Sequence, residues 1–171
     1  MTPSSGAPVW VGPSVTIGTV SGTQYAFVAD TSGNFYRCTL KPDGTFNACG
    51  ATPSSGAPAW QVETGTLATI SGTQYAYVAD ATGYIYQCGL NSDATLNTCT
   101  SVPTSGKPTW LPGDLSIQTI GGSPYAYITD SLRKAVWRCP VNADGTFGSC
   151  VKTPTLSAPA WAAYSIAFGS F

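Results

Sequence analysis

Apolar and aromatic residues alternate with small polar ones along most of the chain, in runs that end at Gly, Asp or Asn. Tyr75-Ala76-Tyr77-Val78 is one such run, and its period of two is typical of a short β-strand. No window carries the period of an amphipathic helix. The pattern therefore predicts an all-β chain of short strands that are joined by tight turns.

The pattern occurs in three full copies and then begins a fourth time. The full copies span residues 2–51, 52–101 and 102–152, and residues 153–171 copy only the opening of the unit. Each full copy predicts a four-stranded antiparallel meander of about 50 residues. A repeat of this length indicates units that bury their apolar faces against one another, so we expect residues 1–171 to form a single repeat domain.

Six cysteines lie at the same two positions of the full copies, with ten residues between the members of each pair. Although six cysteines allow 15 connectivities in principle, the equal spacing favours local pairing. Zinc is disfavoured because zinc ligands usually come as closely spaced pairs and the chain has no histidine. The predicted disulfides are Cys38–Cys49, Cys88–Cys99 and Cys139–Cys150.

Each cysteine pair is symmetric about a turn, which is Asp-Gly in two copies and Asp93-Ala94 in the second. A type I′ turn needs positive φ at both central residues, and alanine resists that conformation. We therefore expect a four-residue loop built on a type I turn, at residues 42–45, 92–95 and 143–146. This loop would place each cysteine pair at a non-hydrogen-bonded position, where side chains stand closest.

The amino-acid composition of the chain excludes some classes of binding partner and indicates the compartment in which the protein works. Hydrophobic residues make up 43% of the chain, charged residues only 9%, and the formal net charge is −1. The chain therefore lacks the basic surface that nucleic acid binding needs, and it has no apolar run long enough for a transmembrane helix. Three disulfides would persist only in an oxidising compartment, so we expect a secreted protein, extracellular or periplasmic.

The run from Cys139 to Cys150 reads Cys-Pro-Val-Asn-Ala-Asp-Gly-Thr-Phe-Gly-Ser-Cys, and the strand before it reads Tyr-Ala-Tyr-Ile-Thr-Asp. These motifs resemble blades of secreted bacterial β-propellers of the lactonase-like and surface-repeat type. The resemblance implies a β-propeller-like fold, in which each meander is one blade. A chain of that family supplies six or seven blades, whereas this one supplies three complete copies and one extra strand. A β-trefoil, in which three repeats close one domain, is the alternative.

The final segment aligns with the first strand of a repeat, with Phe171 at the position of Ile70. An apolar strand without partners can pair with another chain, which predicts a homo-oligomer joined by strand exchange. A simple cap is the alternative. The predicted assembly residues are Ser165, Ile166, Ala167, Phe168 and Phe171.

One tryptophan precedes the first strand of every copy, and these residues are Trp10, Trp60, Trp110 and Trp161. Exposed indoles among Ser and Thr would suit the flat face of a sugar ring. Alternatively, each indole packs between neighbouring repeats with its N–H bonded to a carbonyl. We keep these four residues as candidate glycan-binding residues.

Aspartates end the second strand of each copy, at Asp30, Asp80 and Asp130. Such carboxylates could bind a cation, but a turn that recurs in every repeat favours an Asx-turn role. Catalysis has little support, because the chain has no histidine and Glu63 is its single glutamate, with Asp114 at a neighbouring aligned position. Arg133 and Lys134 interrupt the repeat and suggest either a contact point or a solvated turn. We expect no catalytic residue, metal or cofactor.

Two functions remain. The first is a secreted, non-enzymatic binding module that recognises a glycan or a protein surface through its repeated loops. The alternative is a structural subunit that assembles into a ring or an extracellular filament through its C-terminal strand.

Overall fold

The structure is a computed structural model, which describes residues 14–30, 32–53, 58, 60–103, 108–153 and 165–168. The strands within these ranges are β1 (Ser14–Val20), β2 (Thr23–Asp30), β3 (Asn34–Leu40), β4 (Phe46–Ala51), β5 (Val62–Ile70), β6 (Thr73–Asp80), β7 (Ile85–Leu90), β8 (Leu96–Val102), β9 (Pro112–Ile120), β10 (Ser123–Asp130), β11 (Ala135–Pro140) and β12 (Val151–Thr153). The described ranges contain no helix, and therefore none long and apolar enough to cross a bilayer.

The strands form three antiparallel sheets of four strands each, in the orders β1-β2-β3-β4, β5-β6-β7-β8 and β9-β10-β11-β12. Each sheet is built from one sequence repeat, which confirms the predicted meanders. Strand pairing in the described ranges is confined to single repeats, and this favours blade-like units over a trefoil, whose repeats close a common barrel.

The three predicted disulfides are present, with Cα–Cα distances of 4.0, 4.1 and 4.1 Å. These distances are close to the spacing of about 4.5 Å that is typical of non-hydrogen-bonded pairs. In the first two sheets the bridge joins the third and fourth strands, as in Cys38 of β3 and Cys49 of β4, and in the third sheet it joins β11 to Cys150, directly before β12. The bridges therefore clamp the outer hairpin of each repeat.

The predicted four-residue loop at the hairpin tip is wrong. Asn91 and Thr95 close the second hairpin, because the Asn91 N–H donates to the Thr95 carbonyl, and the Ala94 N–H donates back to the Asn91 carbonyl with Ala94 at φ +64°. This is a three-residue loop that ends in a left-handed residue, and the equivalent residues are Gly44 and Gly145. Alanine pays about 1–2 kcal/mol in this conformation. Its methyl group is, however, fully buried between the first and second sheets, which offsets the strain.

The sheets stack in chain order. We call the face of a sheet that contacts the preceding sheet its leading face, and the face that contacts the following sheet its trailing face. Strand β5 of the second sheet packs on β1 and β2, and β9 of the third sheet packs on β5 and β6. One apolar cluster fills each of these two interfaces, and a third, smaller cluster lies on the leading face of the first sheet.

Candidate functional site

The interface between the first and second sheets joins aromatic rings to small residues. On the trailing face of the first sheet, Phe27 stacks on Phe35 with ring centroids 5.9 Å apart. The second sheet contributes Ala94 and Leu96, both buried at the tip of its outer hairpin. The hairpin tip of one sheet therefore seats against the aromatic strand of the sheet before it.

A long polar side chain on β3 or β7 holds each tip. Arg37 Nη1 donates to the Asp93 carbonyl at 2.7 Å, and Gln87 Nε2 donates to the Asp144 carbonyl at the same distance. Both donors occupy the same position of their repeats. Sequence reasoning missed this contact, although the signal was present: a long polar residue stands at this position in every copy, with Arg138 in the third.

A tyrosine hydroxyl adds a buried hydrogen bond to the second interface. Tyr77 donates to the Gly145 carbonyl at 2.8 Å and stacks on Phe147 with centroids 5.4 Å apart. A Cβ on Gly145 would lie 2.3 Å from Gln87 Nε2 and 2.8 Å from the Tyr77 hydroxyl, so a methyl group there would have to push both side chains aside. In the first interface the ring is Phe27, which has no hydroxyl, and alanine is accommodated at the tip. Burial, with smaller effects from Tyr75 and Asp144, raises the pKa of Tyr77.

A line of polar side chains runs along the first strands of successive repeats. Ser14 Oγ lies 3.1 Å from Thr64 Oγ1, and Thr64 Oγ1 donates to Asp114 Oδ1 at 3.4 Å. Ser165 Oγ then donates to the other carboxylate oxygen of Asp114 at 3.1 Å. These four residues are spaced one repeat apart, so Asp114 links the neighbouring repeats.

The described residues of the final segment lie on the trailing face of the third sheet. The Ile166 N–H donates to Asp114 Oδ2 at 3.0 Å, and the Phe168 ring lies 4.8 Å from that of Tyr127. The segment thus occupies the position that β5 and β9 take on the sheets before them, although residues 165–168 belong to none of the three sheets. Phe171 lies outside the described residues, and exchange of this strand between chains stays a prediction.

Two of the four candidate tryptophans can be placed, and both are buried. Trp60 packs edge-on against Tyr86 with centroids 5.6 Å apart. Trp110 packs in the same way against Trp137, and its indole N–H donates to the Gly83 carbonyl of the preceding repeat at 2.9 Å. This is the packing role that the sequence allowed, and it leaves no free indole face for a sugar at these two positions. Trp10 and Trp161 lie outside the described residues.

The aspartates that end the second strands are turn residues. Asp30 Oδ1 accepts the N–H of Ser32 at 2.9 Å, and Asp80 Oδ1 accepts from both the N–H and the hydroxyl of Thr82. Asp80 Oδ2 also accepts the N–H of Gln61 at 2.7 Å, which ties the incoming chain to the turn.

In the third copy, a charged side chain also contacts the aspartate that ends the second strand. Asp130 accepts the N–H groups of Leu111 and Arg133, and the Arg133 guanidinium lies 3.6 Å from its carboxylate. Lys134 adopts φ +49°, as Gly33 and Gly83 adopt positive φ. Within the described ranges, no three Cys, Asp or Glu side chains converge as a metal site requires.

A second set of aspartates shapes the hairpin tips. The hydroxyl of Thr45 donates to Asp43 at 2.6 Å and its N–H donates at 2.9 Å, and these two bonds hold the pKa of Asp43 below its ordinary value. The same threonine bonds lower the pKa of the equivalent carboxylates, Asp93 and Asp144. The tips are therefore preformed turns whose main-chain carbonyls point outward, where a neighbouring sheet can reach them.

The two outermost faces of the stack expose positions that are buried inside it. On the leading face of the first sheet, Ile17 is 62% exposed and Val15 is 51% exposed, whereas Leu115, the equivalent of Val15, is buried. At the tip of that sheet Gly44 is exposed, and its equivalents Ala94 and Gly145 are buried.

The trailing face of the third sheet shows the same difference. Tyr127 is half-buried and Arg138 is exposed, whereas Phe27 and Tyr77 at the first of these positions are fully buried. The Arg138 guanidinium lies 4.9 Å from the Tyr125 ring, much as Arg37 lies 5.4 Å from the Tyr25 ring. The arginine is thus already held in the position that grips a hairpin tip in the first interface.

An open groove of about 340 Å³ separates the second and third sheets near their first turns. Ile70 and Pro124 supply apolar walls, and Ser71 and Thr119 supply hydroxyl groups. This mixture could orient a small polar ligand, but none of the described residues that line the groove is charged.

These features define the chain as an all-β repeat protein of stacked, disulfide-clamped antiparallel sheets. No protein-family model and no curated protein matches its sequence significantly. The resemblance to secreted propeller blades therefore stays a prediction.

Proposed function

We propose that the chain is a structural subunit that assembles end to end through the leading face of its first sheet and the trailing face of its third. The observation that carries this proposal is the reuse of one interface: the first two sheets and the last two meet through the same positions. The two outer faces hold the two complementary halves of that interface. A head-to-tail contact of this kind closes into a ring or grows into a filament, depending on the rotation between subunits.

The disulfides and the carboxylate contacts support an extracellular, non-enzymatic role. Three disulfides clamp the outer hairpins, and they fit an oxidising compartment. Asp80 is engaged in a turn and Asp114 lies between repeats. Ring closure into a propeller is one geometry that the assembly could take, and two chains would then supply six blades.

The native mass of the purified chain tests this proposal. We expect sedimentation velocity to show a monomer at low concentration and dimers or longer species as the concentration rises. Electron microscopy of the associated fraction then distinguishes rings from filaments. A compact monomer at every accessible concentration, both for the full chain and for a chain truncated after Thr153, would refute it.

A glycan-binding module is the second candidate, and the groove beside Ile70 and Thr119 is the observation that favours it. The test is a glycan array with the wild-type chain and with a Thr119→Trp variant that fills the groove. Binding that survives this substitution would remove the groove from consideration.

A further inference from the structure

We propose that the trailing face of the third sheet is a socket for the first hairpin tip of a second copy of this chain, residues 42–46. This inference rests on the proposed assembly and names its contact. The occupant follows from continuity with the two interfaces inside the chain. Each of them seats a hairpin tip on an aromatic strand and holds it with a long polar side chain.

The donor side of the socket is already in place. Arg138 stands where Arg37 and Gln87 stand, and those two side chains donate to the carbonyls of Asp93 and Asp144. In the assembly, Arg138 donates to the carbonyl of Asp43 of the second copy. The Asp43 turn has the conformation of the two docked turns, since the same aspartate–threonine bonds build it and Gly44 has φ +80°.

The size of the tip residue matches the ring that it would meet. Inside the chain, the ring with a hydroxyl, Tyr77, faces glycine, and the ring without one, Phe27, belongs to the interface with Ala94. The socket carries Tyr127, so its hydroxyl would crowd a methyl group on the tip as that of Tyr77 would. The first hairpin offers Gly44, so the two outer faces obey the rule of the internal interfaces.

The final segment competes with this contact on the inner part of the socket. Residues 165–168 lie where β1 of the second copy would lie, and two hydrogen bonds to Asp114 with one ring contact to Tyr127 hold them. Strand β1 has seven residues and enters as part of a complete sheet. We therefore expect truncation after Thr153 to strengthen association.

The test is one substitution that should weaken association and a second that should restore it. A Cβ on Gly44 meets no atom within 4 Å in the isolated chain, and Ala94 shows that alanine adopts the same backbone conformation. Gly44→Ala should therefore leave the subunit folded but raise the dissociation constant about tenfold or more, because the methyl group overpacks the contact with Tyr127. Adding Tyr127→Phe recreates the combination of Phe27, Arg37 and Ala94, and it should bring the constant back to within about threefold of the parent.

Sedimentation velocity on the chain truncated after Thr153 provides the measurement, and circular dichroism checks the fold of each variant. Arg138→Gln, which copies Gln87, should retain association, whereas Arg138→Ala should weaken it. Arg133→Ala is the matched control, because Arg133 is an exposed arginine at a turn of the same sheet.

Three results separate the inference from the proposed function. Association that ignores Gly44→Ala, or a double variant no stronger than the single one, overturns the socket and leaves assembly standing. Association that is lost on truncation overturns the socket in favour of strand exchange. A monomer under all conditions overturns both.

Discussion

The hydroxyl of Tyr77 is a buried polar contact between two repeats that a single substitution can isolate. Tyr77→Phe removes the donor that reaches the Gly145 carbonyl at 2.8 Å and keeps the ring that stacks on Phe147. Phe27 fills the equivalent position of the first interface, so the packing itself does not need the hydroxyl. We expect the substitution to lower the free energy of unfolding by about 1–2 kcal/mol, because a buried carbonyl loses its donor.

Urea unfolding with the disulfides intact measures this loss. Tyr127→Phe is the matched control, since Tyr127 has the same position in its repeat but is only half-buried. Its cost should be close to zero. Equal losses at both positions, or no loss at Tyr77, would refute the assignment of the stability to the buried hydrogen bond.

The same substitution has a pH signature. Burial raises the pKa of Tyr77 above the 10.0 of a free tyrosine, so the folded state holds this proton more tightly than the unfolded chain. The resulting contribution to stability is fully present below about pH 10 and is lost as the pH rises towards the folded-state pKa. Unfolding free energies should fall less steeply above about pH 10 in Tyr77→Phe than in the wild type. An identical slope would show that other groups cause the alkaline loss.

Two further substitutions test the packing of the sheets. The Thr129 hydroxyl is buried and, among the described residues, has no hydrogen-bond partner. Thr129→Val should therefore raise the free energy of unfolding by about 1 kcal/mol in the same urea assay. A lower free energy of unfolding would indicate that the hydroxyl does have a partner. Replacing Cys88 and Cys99 together by alanine opens a loop with a sequence separation of 11. The free energy of unfolding should then fall by about 2–3 kcal/mol. An unchanged urea midpoint would show that the hairpin is stable without its disulfide.

Local periodicity was enough to predict the sheets and the bridges, because both depend on residues that are close in sequence. Alternation of apolar and polar residues sets the face of each strand, and turn residues set the hairpins, as in Tyr75–Val78 followed by the Asp80 turn. The disulfides followed from the same register, since Cys88 and Cys99 face one another across β7 and β8.

The contacts between repeats could not be predicted in the same way. Ala94 holds a positive φ whose strain is offset by burial of its methyl group against a neighbouring sheet, and nothing within its own hairpin indicates that burial. The ambiguity at Trp110 has the same origin: an indole after a proline suits either a sugar or a sheet interface, and only the position of Gly83 in the preceding repeat decides between them.

The small sequence differences between the repeats therefore favour the order in which their sheets pack on one another. The face with Phe27 accepts a tip with alanine, whereas the face with Tyr77 meets a glycine, on which a methyl group would crowd both the Tyr77 hydroxyl and the end of Gln87. The tip with Ala94 is thus compatible with the first sheet and would clash on a face like that of the second. These matched pairs favour the native order of the sheets over a stack in another order, and they do so without changing the fold that the repeats share. The proposed assembly through Tyr127 would show the same preference, for the glycine tips of this chain over its alanine tip.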